Sequence, residues 1–118
     1  MNYDLEERTK KYSFNIIEFL LKINRNDINK NLISQLIRSS TSVGANYSEA
    51  NAASSRKEFK NKISICRKEI QETKYWVELI AKSNPEEKEK LRKLWAEAHE
   101  LTLIFNKIST SLNKIEKL

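Results

Sequence analysis

Ser39, Ser40 and Ser42 sit together in the run Gln35 to Ala50 and offer hydroxyl nucleophiles. Acyl transfer needs such a hydroxyl on a tight, glycine-flanked turn, beside an imidazole that a carboxylate orients. These serines have no glycine-rich turn, and the single histidine, His99, lies far along the chain with no evident carboxylate relay. Glu69 and Glu72, three apart on one helix face, are metal ligands by type. A metal site in a helical bundle normally needs matching carboxylates or Glu-x-x-His pairs on facing helices, and no Glu-x-x-His occurs here. The more ordinary role for the two glutamates is an ion pair with Arg38, or hydrogen bonds with Gln35 and Asn46, in a polar layer that fixes helix register. Cys66 is the only cysteine, so no intrachain disulfide is available, which suits a reducing cytoplasm. No phosphate-cradling loop exists, and the expectation is a non-enzymatic protein without metal or cofactor.

Charge points elsewhere. Lys plus Arg number 22 against 16 Asp plus Glu, a net +6. That excess permits a polyanionic partner without demanding one. Between positions 56 and 68 the cations Arg56, Lys57, Lys60, Lys62, Arg67 and Lys68 face only Glu58. On a helix, Arg56, Lys60 and Arg67 fall near one edge, with Lys57 and Lys68 around from it, a spacing able to follow phosphates of RNA or DNA. The competing reading is a solvated face that only keeps the protein soluble. Base-specific recognition is not indicated, because the segment has no aromatic interleaving beyond Phe59.

The elements that must carry these residues are helices. A chain of 118 residues with one Gly and one Pro lacks the turn chemistry of sheets and is long enough for one core. Leu5, Tyr12, Ile16, Phe19 and Ile23 form a stripe after Asp4 and Glu7, which resemble a capping box, so a first helix is expected over about 5–23. Turn formers at 24–27 precede a second over 28–53. Ser55 with Glu58 repeats the capping-box pattern, and Phe59, Ile63, Cys66, Ile70, Thr73, Val77 and Ile80 predict a third over 56–82. Asn84-Pro85-Glu86-Glu87 opens a fourth over 86–117, with Asn84 as cap. Short connections between long amphipathic helices predict an antiparallel up-down-up-down four-helix bundle. The N-terminus reads acidic then basic without an apolar run, and no stretch suits a membrane, so a soluble cytoplasmic protein is expected.

The second helix is unusual in its seam. Leu36, Ser40, Val43, Tyr47 and Ala50 share one face, and small residues there bring backbones close. Gly44 lies within it at a cost of about 1 kcal/mol relative to Ala, which predicts close helix approach, including in a subunit contact, over a broken helix. Ile17, Leu21, Ile37, Ile65, Trp76, Leu79, Trp95 and Ile104 lie off the main stripes. Apolar faces this wide either close a single core or meet another chain, and self-association is the expectation.

The run Gln35-Leu36-Ile37-Arg38, Ser42 to Ala50, Ser55 to Phe59 and Glu69 to Leu79 resembles the four-helix bundle proteins encoded in intervening sequences of bacterial 23S rRNA genes. The pattern Q-x-x-R-x-x-x-S-I-x-x-N-I-x-E-G is met at Gln35, Arg38, Ser42, Asn46 and Glu49, while Val43 and Tyr47 replace isoleucines and Ala50 the glycine. Losing that glycine implies that helix two continues further or turns differently before Ser55. The resemblance implies a homopentamer around a central channel. A related group serves as accessory proteins of diversity-generating retroelements, which implies RNA and a reverse transcriptase as possible partners. Two roles therefore stay open, an RNA- or DNA-binding oligomer and a protein-interaction scaffold.

Overall fold

The computed structural model describes residues 3–117. It consists of α1 (Tyr3–Lys22), α2 (Lys30–Asn51), α3 (Arg56–Ser83) and α4 (Lys88–Glu116), with a 3-10 turn at Pro85–Glu87 leading into α4. Each helix follows the three-and-four spacing of its apolar residues, and its ends are set by local polar chemistry.

Asn26 Oδ1 accepts the backbone N–H of both Ile28 and Asn29 at 2.8 Å. Such a side-chain turn competes with helix formation. It delays α2 to Lys30, two residues later than the sequence spacing predicts. At its other end α2 stops at Asn51. It does not run to 53, so the alanine at position 50 does not carry the helix that far. Ser55 caps α3 as expected, its Oγ accepting the Glu58 N–H at 3.1 Å. The Glu58 carboxylate turns to the Ser54 N–H and hydroxyl, completing a variant of the capping box. Asp4 is not a cap: it lies within the first turn of α1, where its charge still favours the helix dipole.

Asn84 also departs from the expected role. Its side chain makes no cap bond to the turn that follows. It is buried and accepts from Asn29 Nδ2 at 2.8 Å, while Asn29 also donates to the Asn24 carbonyl at 2.8 Å. The two helix connections at that end are thereby tied together, and α4 starts at Lys88 after the 3-10 turn.

Pairs of cross-helix contacts fix the direction of every neighbour. Thr9 faces Gly44 while Glu6 meets Asn51, Val43 faces Cys66 while Glu49 meets Lys62, Arg67 meets Asn106 while Lys60 meets Glu116, and Tyr12 meets Leu94 while Arg8 meets Glu97, so α1 to α4 alternate up and down. Among neighbouring helices, α2 and α3 share the most extensive interface and α1 and α4 the least. Leu36, Val43, Tyr47, Ile63, Ile70, Ile80, Leu101 and Phe105 fill the core. Burying each such side chain contributes about 1.5–3 kcal/mol. Tyr47 and Phe105 pack edge to face at 5.8 Å. A hydrogen bond between Thr73 Oγ1 and Ser39 Oγ, 3.0 Å long, also lies inside this core.

α2 runs unbroken through Gly44. A Cβ there would lie 3.5 Å from the Thr9 carbonyl, ordinary van der Waals contact. The close approach is thus to α1 of the same chain, and it leaves room for a methyl group. Off the stripes, Ile37, Trp76, Trp95 and Ile104 pack partly buried against the core, whereas Ile17, Leu21 and Ile65 remain exposed. Among the described residues, no helix is long and apolar enough to cross a membrane.

Candidate nucleic-acid interface

The cations of α3 divide between its two flanks. Lys62 turns toward α2 and ion-pairs with Glu49 at 2.6 Å, an interaction that raises its pKa mainly through the hydrogen bond. The seven-residue step from Lys62 to Glu69 already assigns both to the α2 edge, a signal available in the sequence. Lys60 turns toward α4 and pairs with Glu116 at 2.8 Å. Surface pairs of this kind hold little energy but neutralise charge locally.

Arg67 is held without an ion-pair partner among the described residues. Its Nε donates to Asn106 Oδ1 at 3.0 Å and its Nη1 to Ser109 Oγ at 3.2 Å, so two neutral acceptors on α4 orient a full positive charge. Ser64, Arg67, Lys68, Gln71 and Asn106 line a polar depression of about 270 Å³. Lys68 is exposed at its edge, and Arg56 and Lys57 are exposed nearer the start of α3. Exposed Lys114, near the end of α4, and Lys117, just past it, add positive charge at this end, because α3 begins where α4 ends. Ser64, Gln71, Asn106 and Ser109 were not legible as site residues, since the depression arises only when α4 lies beside α3.

The polar positions of the α2 motif lie on a different face. Arg38 Nη1 sits 3.1 Å from both Glu69 carboxylate oxygens, its Nη2 2.7 Å from Glu72, and its Nε 3.3 Å from Gln35. The Glu69 hydrogen bond is the main reason that Arg38 is raised above its already high pKa. Asn46 stays out of this layer, donating instead to the carbonyl and hydroxyl of Ser42 at 2.9 Å. Val43 and Tyr47 are core residues, and Phe59 is partly buried against the core. Among the described residues no three His, Cys, Asp or Glu side chains converge as for a metal ion.

A family model described as 23S rRNA-intervening sequence protein matches residues 2–116. The chain belongs to this family. It is also similar to a solved structure from Bacteroides thetaiotaomicron, described as a protein of unknown function from the S23 ribosomal protein family. The two share 28% identity and a TM-score of 0.77 over 88% of this chain and 96% of that one. Comparison with curated proteins gives no match. Of the α2 motif, Val43 and Tyr47 sit in the core, Gln35 and Arg38 in the layer with Glu69 and Glu72, Asn46 against Ser42 and Glu49 against Lys62, whereas the α3 cations without an ion-pair partner among the described residues lie on the α4 side.

Proposed function

We propose that this protein is a non-enzymatic, cytoplasmic homo-oligomer, a pentamer by its family resemblance, that binds structured RNA or related nucleic acid through the α4-facing side of α3. The observation that carries this reading is the Arg67–Lys68 depression. There a guanidinium is positioned by neutral partners and keeps its charge for a phosphate. Arg56 and Lys57 add cations along the same side, and repetition of the patch in an oligomer multiplies affinity without new contacts. Lys60 and Lys62, already paired with glutamates, contribute less. Phosphate contacts of this type position a backbone and carry no sequence information themselves.

The test is fluorescence anisotropy with a structured rRNA fragment and a shuffled RNA of equal length, each at low and near-physiological salt. Preference for the structured fragment that survives salt supports a dedicated RNA partner. Equal binding that collapses with salt indicates a nonspecific cationic surface. Absence of binding at low salt overturns the reading in favour of a protein-interaction scaffold.

A further inference from the structure

Between positions 60 and 74 α3 carries no aromatic side chain, but α4 brings two to the same edge. Trp95 and His99 stack with ring centroids 5.1 Å apart and planes within 9° of parallel, and both residues are half-buried. Two α3 side chains fix the pair. Glu78 Oε2 accepts the Trp95 Nε1–H at 2.9 Å, and Lys74 Nζ donates to His99 Nδ1 at 3.2 Å while standing 5.2 Å from the centre of the Trp95 ring.

A depression of about 300 Å³, large enough for one small ring system, opens beside Trp95 along the α3–α4 groove. Val77 and Leu91, both buried core residues, form its floor, Trp95 closes one end, and Glu78, Lys88 and Arg92 stand around it. His99 follows Trp95 along α4, whereas Lys88, Leu91 and Arg92 precede it, so imidazole and depression flank the indole from opposite directions. Arg92 shares its charge with Glu89 at 3.0 Å, while Lys88 and Lys74 have no ion-pair partner among the described residues. The same edge leads to the Arg67–Lys68 depression: at 1.5 Å per residue, Lys74 lies about 10 Å from Arg67 and about 6 Å from Glu78 along α3.

We propose that the depression beside Trp95 takes an unpaired base of the bound nucleic acid strand, stacked on the indole, while Lys74 and Lys88 meet the phosphates on either side. The inference rests on the nucleic-acid reading above and adds a base contact to it. An apolar floor and a fixed aromatic wall suit a planar ring. The Glu78 carboxylate repels a phosphate from the depression itself and accepts from an exocyclic amino group, so the base enters and its backbone stays at the rim.

Trp95 reports on this contact directly. The chain has two tryptophans, and Nε1 of the other, Trp76, is buried without a hydrogen-bond partner, so Trp76→Phe breaks no hydrogen bond and leaves Trp95 as the sole indole. The full chain with this substitution would be titrated at low salt with an RNA hairpin whose loop holds unpaired adenosines, with the same hairpin carrying an abasic loop, and with adenosine monophosphate. Indole fluorescence and hairpin anisotropy would be followed together. Quenching by the adenosine loop alone, with affinity roughly five-fold or more above that of the abasic hairpin, is the expected result. Equal affinity for the two hairpins without quenching overturns the base contact and leaves phosphate binding standing. Quenching by the monophosphate that saturates at the concentrations needed for the hairpin overturns the strand as the source of the base. No binding of either hairpin overturns both readings.

Discussion

Arg38 and Glu69 face each other across α2 and α3, with Nη1 3.1 Å from each carboxylate oxygen. The Glu69 side chain is 14% exposed and that of Arg38 48%, so the carboxylate depends on this cation more than the cation depends on it. Arg38→Gln is expected to cost about 1 kcal/mol, after allowing for solvent at the guanidinium. Adding Glu69→Gln should recover part of that loss, because the poorly solvated charge is then gone. Urea unfolding of the two single variants and the double variant measures the coupling, and strictly additive effects would mean that the pair contributes nothing.

Gly44→Ala is expected to stabilise the protein by up to about 1 kcal/mol, the helix-propensity difference. The new methyl meets Thr9 at 3.5 Å, which is ordinary contact. A higher denaturation midpoint with unchanged slope is the predicted outcome. A lower midpoint would mean that α1 and α2 are closer in solution than this.

Alkaline pH should destabilise the fold. Burial pushes the Cys66 thiol from its ordinary 9.0 up to about 12, and burial likewise pushes Tyr47 from 10.0 up to about 12. Both groups are neutral when protonated, and their folded pKa lies above the unfolded one. Their contribution is fully present below pH 9 and is lost as pH rises toward 12, because the unfolded chain releases protons that the folded chain retains. Each group gives a slope of about 1.4 kcal/mol per pH unit within its window. Cys66→Ala should delay the onset of the decline from near pH 9 to near pH 10. Stability that stays level from about pH 8.5 to about pH 11 would contradict this.

Much of the architecture was legible because helical spacing is a local signal. The stripes from Leu5 to Ile23 and from Leu91 to Ile115 required no knowledge of their neighbours. Pairing of Arg38 with Glu69 and Glu72 was readable as one of two options; the other, hydrogen bonds with Gln35 and Asn46, fails at Asn46, which bonds to Ser42. Helix ends were less legible. The late start of α2 depends on Asn26 turning its side chain onto Ile28 and Asn29, and Asn84 trades a cap for a bond to Asn29, from which α2 and α3 separate it in sequence. The Arg67 site is half legible for the same reason: its cation is on α3, and its orienting partners Asn106 and Ser109 come from α4.

The proposed function requires that the exposed cations of α3 that lack an ion-pair partner among the described residues bind nucleic acid phosphates. The most direct measurement is the slope of log affinity against log salt for a structured rRNA fragment, comparing the unsubstituted chain with Arg56→Gln/Lys57→Gln/Arg67→Gln/Lys68→Gln. For every phosphate that a removed cation had neutralised, the magnitude of the slope should fall by roughly 0.7 to 0.9. A flattened slope and weaker binding, with unchanged thermal unfolding, is the predicted result. The same slope in both proteins, or no binding by either at low salt, would contradict it.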